Sequence, residues 1–220
     1  MRSFDLPLLY LVTDRHRCVG RPLEDVVAAA VDGGVGAVQL REKDLADVEL
    51  IRLARRLREV TEGRALFFVN DRADIAVAVG ADGIHLPEES LLAAVRRIGQ
   101  RKTVIGRSVH SAEAGVAAEA EGADLLIAGT VFQSSSHPDR EPQGISLLKE
   151  LGERVKVPCL AIGGIAEENV GKVIEAGVSG AAVITAITES RNPARAANRL
   201  TDAMREAWFL RNNAVRVSLA

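Results

Sequence analysis

Short apolar runs rich in Val, Ile and Leu alternate along the chain with longer segments whose apolar positions recur every three to four residues. The first pattern predicts strands and the second amphipathic helices. Strands are expected over "LLYLVTD" (8–14), "AVQLRE" (37–42), "LFFVND" (66–71), "GIHLP" (83–87), "TVIGRSV" (103–109), "LLIAGTVF" (125–132), "PCLAIGGI" (158–165) and "GAAVIT" (180–185). Helical patterns such as "LADVELIRLARRLREV" and "AEENVGKVIEAG" fill the gaps. Several close on glycine before the next strand, in "VDGG", "AVGADG", "EAEGAD" and "IEAGVSG". Glycine is the expected stop because it enters the left-handed region without a Cβ penalty.

Eight strand–helix units without a linker predict an α/β fold, a single (β/α)8 TIM barrel over residues 1–220 with a frayed tail at 212–220. An open doubly wound sheet has the same local signals. The count of eight and the lack of a G-x-G-x-x-G after the first strand favour closure. The composition, 47% hydrophobic and 26% charged over 220 residues, suits one soluble core. A net charge of −2 with interspersed signs, and 3% aromatics, argue against a nucleic-acid partner. No apolar run approaches the roughly 20 residues of a membrane span, and "MRSFDLPLLYLVTDRH" lacks a signal-peptide pattern. Cys18 and Cys159 lie far apart without metal-ligand spacing, which reads as a reducing, cytoplasmic setting. Small molecules are the expected partners, and exposed barrel helices leave room for a homodimer.

In such barrels chemistry sits where strands run into the following helices. Alternation along the second strand puts Gln39, Arg41 and Lys43 on one face and Val38 and Leu40 on the other. Two cations and an amide at the mouth form a candidate anion site. Asn70 and Asp71 end the third strand, where they could equally start a turn or cap a helix. His85, alone on the fourth strand, is expected to be a satisfied core residue. Ser108 and His110, two apart, share a face at the end of the fifth strand. Ser111 is the ready helix N-cap, which leaves His110 available for chemistry. After the seventh and eighth strands, Gly163, Gly164, Thr185 and Ala186 form a candidate phosphate site. The long polar stretch "QSSSHPDREPQG" after the sixth strand is a candidate binding loop.

Taken in order, "LYLVTD", "VQLREKD", "VNDRADIAVAVGADGIHLP", "IGRSVHS", "GTVF", "AIGGI" and "GVSGAAVITAI" resemble the thiamine phosphate synthase and thiazole tautomerase family over nearly the whole chain. The resemblance implies a (β/α)8 barrel, a thiazole phosphate ligand and a place in thiamine biosynthesis. The family has two activities. The synthase joins a pyrimidine methyl pyrophosphate to the thiazole phosphate, with Mg2+ holding the leaving group. Its pattern is kept at Gln39, Arg41, Lys43, Asn70 and Asp71, the last as a metal ligand if the chain is a synthase. A second metal-binding aspartate in "HLGQ-x-D" is replaced in "HLPEES" by Ser90, a poor Mg2+ ligand, with Glu89 adjacent but off register. Where the synthase has two threonines and a lysine after the sixth strand, this chain has Ser134, Ser136 and His137. A histidine is mostly neutral at pH 7 and stabilises anions less than Lys⁺.

The resemblance to the tautomerase branch implies that His110, with Ser108 beside it, relocates a proton on thiazole carboxylate phosphate and makes the ring aromatic. No cofactor is expected for that reaction; Mg2+ is expected for the synthase. The two departures place the tautomerase first and the synthase second, with a non-catalytic phosphate-ligand sensor third.

Overall fold

Strands that are apolar on both faces are stable only where both faces are covered, and this chain covers them by closing its sheet. The computed structural model describes residues 4–98, 103–134 and 141–218. Its elements run β1 (Leu8–Val12), α1 (Leu23–Asp32), β2 (Ala37–Leu40), α2 (Asp47–Thr61), β3 (Leu66–Asn70), α3 (Ala73–Ala78), β4 (Gly83–Leu86), α4 (Leu92–Ile98) and β5 (Val104–Val109). They continue with α5 (Ala112–Ala120), β6 (Leu125–Gly129), α6 (Gly144–Arg154), β7 (Cys159–Ile162), α7 (Glu167–Glu175), β8 (Gly180–Val183), α8 (Thr185–Thr188) and α9 (Pro193–Ser218). The parallel strands close in sequence order, with β1 paired to both β2 and β8. The expected TIM barrel is the observed fold. Most of 212–220, the segment expected to fray, belongs to α9; residues 219 and 220 lie outside the described residues.

The two faces of each strand build two separate cores. Leu9, Leu11, Val38, Leu40, Phe67 and Val69 face outward, against helical residues such as Val27, Leu57 and Val173. Leu8, Tyr10, Val12, Phe68, Leu125 and Leu160 fill the barrel. A one-residue slip of any strand would exchange the layers, so register is strongly held; each such side chain contributes about 1.5–3 kcal/mol by burial. Inside, a large ring needs an empty neighbour. A Cβ on Gly83 would lie 2.2 Å from the Phe68 ring, so the missing side chain makes room for it. Tyr10 meets the same ring at a centroid distance of 5.3 Å.

Toward the carboxyl ends of the strands this filling gives way to Gln39, Asn70, His85 and Ser108. Several strands end earlier than their apolar patterns suggest. At β2 the Arg41 N–H turns to Thr13 Oγ1 at 2.9 Å instead of continuing the ladder. After β7, Gly163 and Gly164 take φ of 107° and 61°, which a strand cannot continue through. Those early exits create the loops that hold the site.

Candidate active site

The strand ends enclose a cavity of about 250 Å3. Gln39, Arg41, Lys43, Asn70, Asp71, Ser108, His110, Ser134, Gly163, Gly164 and Thr185 all line it. Ala186 packs instead against the outer core. Ser136 and His137 lie outside the described residues.

On the β2–β3 side, Gln39 is buried and donates from Nε2 to Asn70 Oδ1 at 3.0 Å. That bond uses the Asn70 oxygen and leaves its amide N–H groups as donors. Asp71 has φ of 58° and gives its backbone N–H to the His85 carbonyl at 2.8 Å. The left-handed turn swings its carboxylate to the cavity, and Asp is among the residues that tolerate it. Behind Arg41, the Arg15 guanidinium bridges Glu42 and Asp44, tying the loops after β1 and β2 together. Arg15 holds the Asp44 carboxyl well below the usual carboxylate range.

His85 forms part of the floor and is 4% exposed. Its Nε2 is 2.9 Å from Ser108 Oγ, while its Nδ1 has no partner among the described residues. The expected satisfied core histidine is therefore only half satisfied. Burial first, and the charge of Arg41 second, push its pKa down to about 3 from an ordinary 6.5. Between those values the unfolded chain binds more protons than the folded one, so stability rises with pH there. It is lost as pH falls from about 6.5 toward 3, at ~1.4 kcal/mol per unit. Denaturant unfolding should therefore show about 2 kcal/mol less stability at pH 5 than at pH 8 from this residue. In His85→Gln that difference should disappear; an unchanged difference would assign it to other groups.

On the β4–β5 side, His110 follows β5 directly. Ser111 caps α5 by accepting the Ala114 N–H at 3.0 Å, so His110 is not the cap. One oxygen of Glu88, Oε2, lies 2.7 Å from both the His110 backbone N and its Nδ1. The carboxylate makes Nδ1 the protonated nitrogen and leaves the lone pair of the neutral ring on Nε2. Arg107 points to the outer side, where it donates to the Glu88 carbonyl and pairs with Glu121 at 2.7 Å. Glu88 is thus held at both its carbonyl and its carboxylate. Sequence reasoning missed it, because its partners come from the neighbouring strand.

Gly163 and Gly164 bring the β7 loop against the β6 loop. A Cβ on Gly164 would lie 2.3 Å from the Gln133 carbonyl oxygen, and one on Gly163 would lie 2.5 Å from Thr130 Cγ2. Asn169 locks this turn, accepting from Ala166 N and donating to the Gly164 carbonyl, both at 2.9 Å. Its position three residues past a helix start is the available signal for that role.

A divalent cation would find two carboxylates here. Asp71 and Glu89 line the cavity, whereas Glu88 is engaged by His110. Ser90 is not part of the lining; its backbone N–H closes a turn onto the Pro87 carbonyl at 3.2 Å. Among the described residues, no three His, Cys, Asp or Glu side chains converge. Mg2+ commonly takes one or two carboxylates and completes its shell with water and substrate phosphate, so the donor set fits. Among the described residues, no helix is long and apolar enough to cross a membrane.

Residues 9–187 match the family model described as thiamine monophosphate synthase. A thiamine-phosphate synthase of Methanoculleus marisnigri is 43% identical over 88% of this chain and 93% of its own length. That of Haloarcula marismortui is 41% identical over 90% of this chain and 97% of its own. The structure of thiamine phosphate pyrophosphorylase from Pyrococcus furiosus superposes with a TM-score of 0.84 at 37% identity, covering 91% of this chain and 96% of that one.

Proposed function

The chain belongs to the thiamine monophosphate synthase family, and from that premise we propose that it joins a pyrimidine methyl pyrophosphate to a thiazole phosphate, releasing pyrophosphate. One observation carries the reading. Arg41 and Lys43 line the same cavity as Gly163, Gly164 and Thr185. That gives two anion-binding regions, one for each anionic substrate. The tautomerisation substrate carries a single carboxylate where the coupling substrate carries a pyrophosphate, and two cations beside the Asn70 amide suit the larger charge.

In the coupling, the bond between the methylene carbon and the pyrophosphate oxygen breaks, its electron pair leaves with pyrophosphate, and the thiazole ring nitrogen supplies the electron pair of the new bond to that carbon. Negative charge grows on that group, so donors placed around it lower the barrier. Arg41, Lys43 and the Asn70 amide supply those donors. The backbone N–H groups at Gly163, Gly164 and Thr185, with the Ser134 hydroxyl nearby, hold the thiazole phosphate. Mg2+ held by Asp71 and Glu89 would neutralise further charge on the leaving group. The relatives named as synthases, at about 40% identity, support placing the coupling ahead of the tautomerisation that Ser90 and His137 favour. Glu89 offsets the lost aspartate in this reading. A family of enzymes also sets aside the sensor.

Tautomerisation stays as the second reading because of the Glu88–His110 pair at the cavity edge. A carboxylate-oriented imidazole is suited to take a proton from carbon and return it elsewhere. Assay of the purified protein on both substrate sets, with and without Mg2+, separates the two. The expected result is pyrophosphate release that requires both coupling substrates and Mg2+. Aromatised thiazole carboxylate phosphate without any pyrophosphate release would reverse the order.

A further inference from the structure

We infer that His85 is a positioning residue that fixes the Ser108 hydroxyl as a hydrogen-bond donor into the cavity, so that the ligand atom seated against Ser108 is an acceptor. This rests on the cavity being the substrate site. A serine hydroxyl donates once and accepts through its lone pairs. Which way the 2.9 Å bond between Ser108 Oγ and His85 Nε2 runs depends on the ring tautomer. With the proton on Nδ1, Ser108 donates to the ring and shows only lone pairs to the cavity. With the proton on Nε2, Ser108 accepts from the ring and its own proton faces the ligand.

Two features select the second arrangement. Nδ1 is buried with no partner among the described residues, and a buried donor without an acceptor is rarer than an unused lone pair. Gly106 lies directly under it: a Cβ there would be 2.8 Å from Nδ1, so the backbone closes that side. With no proton on the enclosed Nδ1, the ring donates from Nε2 to Ser108 Oγ. The Ser108 proton is then available to the ligand, which favours an acceptor there, such as a phosphate oxygen or an aromatic ring nitrogen.

The tautomer can be read directly by long-range proton–nitrogen spectra of protein labelled with 15N-histidine, with His85→Gln identifying the signals. The expected spectrum shows the His85 proton on Nε2 at pH 8. A proton on Nδ1 would overturn the inference whatever the assays show. That readout needs no substrate, so a failure of the coupling reading leaves it intact. On the reaction itself, Ser108→Ala and His85→Leu should each lower kcat/KM about threefold to tenfold, and the double variant should lose little more. His85→Gln should recover most of the loss, because its amide N–H replaces the ring donor. Equal losses in the Leu and Gln variants, or effects that multiply, would mean that His85 only fills space. If His85→Leu does not fold, the spectrum of the unaltered protein still decides the point.

Discussion

Asp71→Asn is expected to lower the coupling rate by roughly 10³-fold while leaving the fold unchanged, since metal stabilisation of developing charge is worth several kcal/mol. The substitution isolates charge from shape. Asn has the same outline and accepts the left-handed backbone that Asp71 adopts at φ of 58°. The backbone bond to the His85 carbonyl does not involve the side chain and persists. Pyrophosphate release at saturating substrates, over a Mg2+ titration, gives the measurement. Thermal unfolding should match the parent. A loss below tenfold at high Mg2+ would move the metal-holding role off Asp71.

His110→Asn should separate the two reactions. On thiazole carboxylate phosphate, the proton transfer should fall on the order of 10²–10⁴-fold, the usual contribution of a general acid–base group. The Asn amide can stand where Nδ1 stood, 2.7 Å from Glu88, so the β4 and β5 loops stay tied while the Nε2 lone pair is removed. Affinity for thiazole phosphate should stay within about threefold, because other loops hold the anion. Coupling should change equally little. A parallel collapse of coupling would give the imidazole a part in that reaction; full tautomerase turnover in the variant would place the base elsewhere.

Glu88 and Ser90 illustrate what a linear reading of "HLPEES" leaves open. Matching it to "HLGQ-x-D" puts Ser90 at the metal position. In the folded loop a turn through Pro87 carries Ser90 away from the cavity, and Glu88 and Glu89 line it. The orientation of a loop side chain depends on that turn and on Arg107 holding the Glu88 carbonyl, neither of which a motif comparison contains.

The barrel, its two-sided core and most cavity residues are legible in the chain because each rests on local periodicity. Alternation along Val38–Gln39–Leu40–Arg41 assigns faces without knowledge of any neighbour, and glycine stops mark where several helices end. The pairings that give those residues their chemistry are not local. Gln39 meets Asn70 across 31 positions, His85 meets Ser108 across 23 and His110 meets Glu88 across 22. Each pairing depends on how one strand or loop is placed against the next, which is set when the whole sheet closes around Tyr10 and Phe68. The depth at which His85 loses water, and with it its proton, is likewise a property of the closed barrel and not of the residue.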